Sequence, residues 1–383
     1  MPDDVVELLQ RMIGFDTVTP RDSGRLDAEH PLAEWLGDLA TEWGMATEWL
    51  PVAGFSPNLL VTCQTDPAAP WWLFDSHLDT VGVEGMTIDP FAAELREGRV
   101  WGRGACDTKG TGAAMLWALL ETSRAGKLGA NVALLFTVCE EDHQQGAIAF
   151  IEHSLAKLSW QPAGIVVGEP TEMRVIDEAN GFVRWKVHTL GVAAHSSTPQ
   201  LGRNAIVDMA HVIQRLQAEH IAPIENSGTG SCSINIIEGG TQSNIVAERC
   251  VISIDERMAP GCDPEQTIRH VQQLLSQLAS EREGMRWEIT QIEIAPPMAL
   301  PAEGKFAQGV AEILQRAGLD SATQSAPYTT NGNHYAAAGL PCVVLGPGDI
   351  AQAHTKEESI GVAELQQGIS GYAALMQSSP IDQ

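Results

Sequence analysis

Hydrophobic positions near the start of the chain recur at helical spacing. Val5, Leu8, Leu9 and Met12 fall on one face, as do Leu32, Trp35, Leu36 and Leu39, with Gly44 placed as a C-cap. The pattern then shifts to short apolar runs bounded by turn residues: "NLLVTC", "WWLFDSH", "NVALLFTVC" and "GIVVGEP". Runs of this length and composition predict strands. The helical stretches "GAAMLWALLETS" and "GAIAFIEHSLAKL" lie between them. Such alternation predicts an α/β domain with a buried, mostly parallel central sheet.

From about residue 180 to about residue 295 the order of elements changes. "FVRWKVHTLG" predicts a strand. "NAIVDMAHVIQRLQ" predicts a helix, with Ile206, Met209, Ala210, Ile213 and Leu216 on one face. "SCSINIIEGG" and "NIVAERCVISIDER" predict two strands. "CDPEQTIRHVQQLLSQLA" predicts a helix with Asp263 as N-cap, Pro264 at the first position and Gln266 closing a capping box. "MRWEITQIEI" predicts a last strand. This βαββαβ order is the ferredoxin-like unit. The first pattern resumes with "GKFAQGVAEILQRAG", "PCVVLGPG" and "GVAELQQGISGYAALM". The expected organisation is therefore one domain of residues 1–179 and 296–383, interrupted by a second of residues 180–295.

Composition narrows the function classes. Lys and Arg number 23 against 49 Asp and Glu, a net charge of −26. That balance argues against nucleic acid or an anionic membrane as partner. The seven cysteines are scattered, without a CxxC pair, and read as small buried hydrophobes of a reducing compartment. "MPDDVVELLQ" lacks the basic and apolar regions of a signal peptide, and no apolar run has the length of a membrane span. The cytoplasm is the expected location.

Acidic and imidazole groups occur just beyond the predicted strands or within loops: "SHLDTV" with His77 and Asp79, "GRGACDTKG" with Asp107, "CEED" with Glu140 and Glu141, "VGEPT" with Glu169 and "AQAHTKEE" with His354. In an α/β sheet the carboxyl ends of the strands open on one crevice, so distant groups can meet there. Taken singly, most have a plain reading: an Asx-turn for Asp107, a solvated carboxylate for Glu169, a surface ring for His354. His77-x-Asp79 is the exception, since on a strand these positions face the same way and a carboxylate there can orient a ligating imidazole.

Together, these stretches resemble the M20 metallopeptidase and deacylase family over nearly the whole chain. The matching text is "SHLDTV", "GRGACDTKG", "TVCEED", "GEPT", "AAHSSTPQLGRNAI", "EGGTQSNIVAERC" and "VLGPGDIAQAH". The resemblance implies a zinc-peptidase-like catalytic domain carrying the ferredoxin-like insert as a lid and dimerisation domain. It implies two divalent metal ions, zinc first and cobalt as the alternative. His77 and Glu169 would hold one metal, Glu141 and His354 the other, and Asp107 would bridge them. Glu140 would be the general base, and Asp79 would hold His77 in its ligating tautomer. His195 in "AAHSS" would reach the other subunit of a homodimer and stabilise the oxyanion, and Asn244 and Arg257 would contact substrate.

Among members, "GEPT", "HSSTPQLGRNAI" and "VLGPGDIAQAH" are most similar to acetylornithine deacetylases. The implied activity is hydrolysis of an N-acyl amino acid, chiefly N-acetyl. A succinyl-diaminopimelate desuccinylase, or a carboxypeptidase or dipeptidase acting on short peptides, is the alternative, and a non-catalytic metal-binding protein of the same fold stands apart from both. "YTTNGNHYAAAG" lacks the acidic residue those deacetylases carry nearby, and "DERMAPG" departs from their text while keeping Asp255 and Arg257. The acyl group and the amino acid stay open at this point.

Overall fold

The computed structural model describes residues 1–228, 230–299, 305–320 and 322–380. They form two compact units. One comprises Met1–Glu178 with, after the insert, the described residues from Lys305 to Ala326 and from Thr330 onward; the other comprises Ala179–Ala299 with Pro327–Thr329.

The first unit is built on a sheet whose neighbouring strands are Ala46–Leu50, Asn58–Cys63, Asn131–Thr137, Trp71–His77, Pro162–Val167, Cys342–Val344 and Val175–Ala179, in that order. The four strands from Asn131–Thr137 to Cys342–Val344 run parallel. The outer ones are antiparallel. The Asn131 and Trp71 strands are buried at every position, as expected where both faces of a sheet are covered. The helices Lys109–Arg124 and Val362–Met376 pack together, and Leu119, Phe74, Leu134, Val166 and Tyr372 share one apolar core.

Other elements depart from the sequence pattern. "GAIAFIEHSLAKL" is not one helix. It is an α-turn at Gln145–Ala149, a wider π-turn at Phe150–Ser154 and a tight 3-10 turn at Leu155–Lys157. Phe150, at the widening, is buried edge-on against Tyr335. Glu94–Arg96, Arg99–Trp101 and Ser359–Gly361 form a small antiparallel sheet, each strand too short to show a period of two. Its hairpin turns through Glu97 and Gly98, both at positive φ, which suits a two-residue loop.

The second unit has the four-stranded order Gly230–Gly239, Arg249–Met258, Gly181–Leu190 and Arg286–Ala295, antiparallel throughout. The helices Ala205–Leu216 and Pro264–Glu281 cover one face, and Val187, Ile252, Met209 and Leu275 belong to its core. This is the ferredoxin-like arrangement expected from the order of elements. Asp263 caps the second helix by accepting from the Glu265 N–H, not through the box expected with Gln266. The strand expected over "NIVAERCVISIDER" begins only at Arg249. No described helix is long and apolar enough to cross a membrane.

Candidate metal centre

Parallel packing sets where the candidate groups emerge. His77 is the last residue of the Trp71 strand, Glu140 and Glu141 follow the Asn131 strand, and Glu169 follows the Pro162 strand. All leave the sheet at the same edge, where open α/β sheets bind ligands. The "TVCEEDHQQG" turn reverses tightly there, with Cys139, His143 and Gln144 at positive φ. Gly146 is required at its close, since a Cβ would stand 2.5 Å from the Val138 carbonyl oxygen.

Asp107 joins two groups of donors. Its Oδ1 lies 3.1 Å from His77 Nε2, and that nitrogen is 3.9 Å from Glu169 Oε1. Its Oδ2 lies 3.2 Å from His354 Nε2, which is 2.8 Å from Glu141 Oε1. Four of these side chains are at most 9% exposed, whereas His354 is 51% exposed. The centre is thus closed within the protein and open on the His354 side. Donor atoms of His77, Asp107 and Glu141 lie within 4.8 Å of one another, as do those of His77, Glu140 and Glu169. Glu140 is therefore close enough to compete for a role as ligand.

Crowding shapes the protonation of these groups. Burial, reinforced by the charge of Asp107, raises the Glu169 pKa well above the ordinary carboxyl range and pushes Glu141 up to about 7. Burial also pushes Glu140 up to about 8, with Glu141 adding to the rise. Asp107 goes the other way: burial opposes its charge, but hydrogen bonds to His354 and His77 hold its pKa below the usual value. Burial disfavours a charged His77 ring, yet Asp107, Asp79 and Glu169 outweigh it and raise the pKa. His354 is pushed up to about 10 by its bonds to Asp107 and Glu141. Buried carboxylates that resist ionising together are what a divalent cation relieves, and imidazole with carboxylate suits zinc or cobalt. The five donors fit two such ions, with the two oxygens of Asp107 turned one to each group.

Asp79 acts differently from the expectation. The Trp71 strand ends at His77, so Asp79 lies beyond it and does not share a strand face with the ring. The nearest acceptor to His77 Nδ1 is the Asp79 backbone carbonyl at 2.9 Å, with the carboxylate Oδ1 at 3.4 Å. The carboxylate instead accepts the backbone N–H groups of Glu140 and Glu141, each at 2.9 Å. It thus holds the backbone of the paired glutamates and lies beside the imidazole.

Several supporting residues were not singled out from the sequence. Glu358 is fully buried and accepts from Arg103 Nη1 at 2.6 Å and from the N–H groups of Cys106 and Asp107 at 2.9 and 3.0 Å. Asp75, beneath the site, accepts from Thr137, Tyr335 and Asn331. Gln144 donates to Glu140 Oε1 and accepts from His334. Lys109 is fully buried, and its Nζ donates to the Phe15 carbonyl. Glu358 lies in "KEES", which reads as a solvated run; only the GRGACDTKG motif gave Lys109 any prior signal.

The remaining three predicted residues lie in the second unit. His195 is exposed in a loop that bridges to Ile245, and its Nδ1 accepts the Ser197 N–H at 3.2 Å. Asn244 is exposed, and its backbone carbonyl accepts from Ser196. Arg257 pairs with Asp255 through Nε at 2.7 Å, and Arg184 binds the same carboxylate.

The sequence profile of the Peptidase family M20/M25/M40 matches residues 73–378, and the chain belongs to that family. It is a metal-dependent hydrolase. It is similar to an acetylornithine deacetylase of Pectobacterium carotovorum, with 28% identity over 373 residues, covering 93% of this chain and 92% of that protein. A probable carboxypeptidase of Ajellomyces dermatitidis is 26% identical over 338 residues, covering 84% and 72%. The fold matches a solved M20 family metallo-carboxypeptidase, Sso-CP2 of Sulfolobus solfataricus, with a TM-score of 0.78 at 17% identity, covering 99% of this chain and 100% of that one.

The geometry generates one prediction about metal. Asp107→Ala should disturb binding of both ions, because one carboxylate faces both donor groups. Glu358→Gln leaves every donor in place but must set its amide NH2 against either the Arg103 guanidinium or the two backbone N–H donors. It should weaken zinc affinity by about 10- to 100-fold, as loss of a supporting hydrogen bond does elsewhere. Competition titration against a chelating dye measures both effects; wild-type affinity in Glu358→Gln would show that the carboxylate does not position the Asp107 loop.

Proposed function

We propose that the protein hydrolyses the amide bond of an N-acyl amino acid, chiefly an N-acetyl one, on a centre of two divalent metal ions, zinc or cobalt. The observation that carries this reading is the double engagement of Asp107, one oxygen towards His77 and Glu169 and the other towards His354 and Glu141. Two cations held there would polarise the scissile carbonyl and lower the pKa of water.

The protein's own groups handle the protons. Glu140 takes a proton from the attacking water at its carboxylate and delivers it to the departing amine. Gln144 anchors one Glu140 oxygen at 3.0 Å, and Asp79 fixes the backbone on which Glu140 and Glu141 diverge. Asn244 and Arg257 would contact the substrate, with Asp255 holding the Arg257 fork in place.

His195 would act across a homodimer formed through the lid unit. Its Nδ1 lies 2.8 Å from Ser197 Oγ and 3.2 Å from the Ser197 nitrogen; with these two as donors, the ring proton of the neutral form would stand on Nε2, ready to donate to an oxyanion. The lid edge strand Gly230–Gly239 is mostly exposed and carries Ile236 and Ile237 at 55% and 56% exposure, a surface suited to pairing. The cytoplasm is the proposed compartment, in keeping with seven cysteines that form no disulfide.

Carboxypeptidase or dipeptidase activity is the second reading, favoured by the similarity to the probable carboxypeptidase. A desuccinylase would use the same centre. A non-catalytic metal-binding role is disfavoured by the presence of Glu140 beside a complete donor set.

A substrate panel decides among these. Zinc- and cobalt-loaded protein should release acetate from N-acetyl amino acids faster than succinate from N-succinyl ones or amino acids from dipeptides. Preference for dipeptides would select the second reading, and inertness across the panel the non-catalytic one. Glu140→Gln should keep its metal and lose roughly a hundredfold or more in turnover, whereas Glu141→Gln should lose metal first. Metal loss in Glu140→Gln would make that residue a ligand instead.

Mixing subunits tests the role of His195. Glu140→Gln and His195→Ala homodimers should each be nearly inactive. In their heterodimer, the site built on the His195→Ala chain keeps Glu140 and receives a normal His195 from its partner, so activity should return. Exchange verified by mass without recovered activity would remove His195 from the partner's site.

A further inference from the structure

A second group of metal-type donors lies within the lid unit and shares no residue with the centre described above. The strand Arg249–Met258 alternates, with Cys250, Ile252, Ile254, Glu256 and Met258 buried. Glu256 thus occupies a core position on an apolar face, where an ionised carboxylate needs compensation. Directly across the ladder stands Cys232, so the two side chains share the helix-covered face. His220 reaches them from the π-turn Gln217–Ile221 that follows the helix Ala205–Leu216, a local widening often associated with sites.

The three side chains are 3–5% exposed. Their donor atoms lie within 4.8 Å of one another, and His220 Nε2 is 2.8 Å from Glu256 Oε2. Thr267 Oγ1 donates to the other carboxylate oxygen at 3.2 Å, and Trp185 packs edge-on against the imidazole at 6.2 Å. Both contacts fix donor orientation in the manner of groups that support metal ligands. A cleft of about 420 Å³ has His220 and Glu256 in its wall, together with Thr267, His270 and Cys262. It provides a path for an ion and room for an exchangeable ligand.

We propose that His220, Cys232 and Glu256 form a zinc site in the lid, with the fourth position turned to the cleft. Imidazole, thiolate and carboxylate are all zinc donors, and three protein ligands with one open position is an established zinc geometry. On binding, the Cys232 thiol loses its proton to solvent and the sulfur–zinc bond replaces it. The ion links the two adjacent strands to the end of the first lid helix and so braces the lid against local opening. A buried His–Glu pair beside an inert thiol is the competing account.

Cobalt distinguishes the two, because the donors of the Asp107 centre include no sulfur. Full-length protein freed of metal and titrated with cobalt(II) should develop a near-ultraviolet sulfur-to-cobalt charge-transfer band. Cys232→Ser should lack this band, bind about one ion fewer per chain, and keep its hydrolytic activity. If Cys232→Ser does not fold, His220→Gln takes its place and should weaken or shift the band. A saturated wild-type protein without the band would overturn the proposal. So would a band and metal count unchanged in the folded variant.

Discussion

Several carboxylates are gathered out of water at one end of a parallel sheet, and their mutual repulsion is the constraint around which the first unit is arranged. Two unit charges ~4 Å apart interact by about 4 kcal/mol at the effective dielectric typical of proteins. Donor atoms of Asp107 and Glu141, and of Glu140 and Glu169, lie within 4.8 Å of each other, and imidazoles from His77 and His354 stand among them. The rest of the burden falls on protons or cations. The surrounding buried acids are instead satisfied locally: Asp79 by two backbone N–H groups, Glu358 by Arg103 and two more, Asp75 by three side-chain donors. One set of carboxylates is saturated with hydrogen bonds and serves as scaffold. The other lacks such a full set of donors and forms the candidate site.

The sequence revealed the parts of this arrangement that depend on period. The strands that lead to His77, Glu140 and Glu169 could be read because fully buried parallel strands appear as short continuous apolar runs. The ferredoxin-like order could be read because its strands and helices are long enough to show their periods. Asp107 and His354 emerged through resemblance, since a glycine-rich loop and a polar loop carry no periodic signal. Glu358 was missed because "KEES" looks solvated, and its burial depends on Arg103, far back in the chain. The second role of Asp79 was missed because it consists of bonds to backbone, which leave no mark in side-chain pattern. Glu256 was hidden inside a predicted strand, where an acidic residue ordinarily points to water.

Identity to the compared proteins is concentrated on no single chemistry. A deacetylase and a probable carboxypeptidase stand at nearly equal identity. Both reactions break an amide bond, so a shared hydrolytic centre is compatible with either, and discrimination must come from groups that touch the acyl and amine portions of the substrate. Of the groups proposed for contact with substrate, two lie outside the period-bearing elements and one, Arg257, lies within the strand Arg249–Met258. Asn244 and His195 sit in loops, and the Arg257 guanidinium is held by Asp255.

The division of the first unit by the insert has a consequence for synthesis. Translation delivers His77, Asp107, the glutamate pair and Glu169 first, then the whole of the lid, and only afterwards the segment from Asn331 to Glu358. That last segment contains two of the donors to Asp75, the strand Cys342–Val344 that pairs with Pro162–Val167, the second imidazole and the acceptor that secures the Asp107 loop. Until that segment is made, the nascent chain therefore carries these acidic groups without these partners. The lid, contiguous in sequence, has all four of its strands at hand on the ribosome before the site that it accompanies can close.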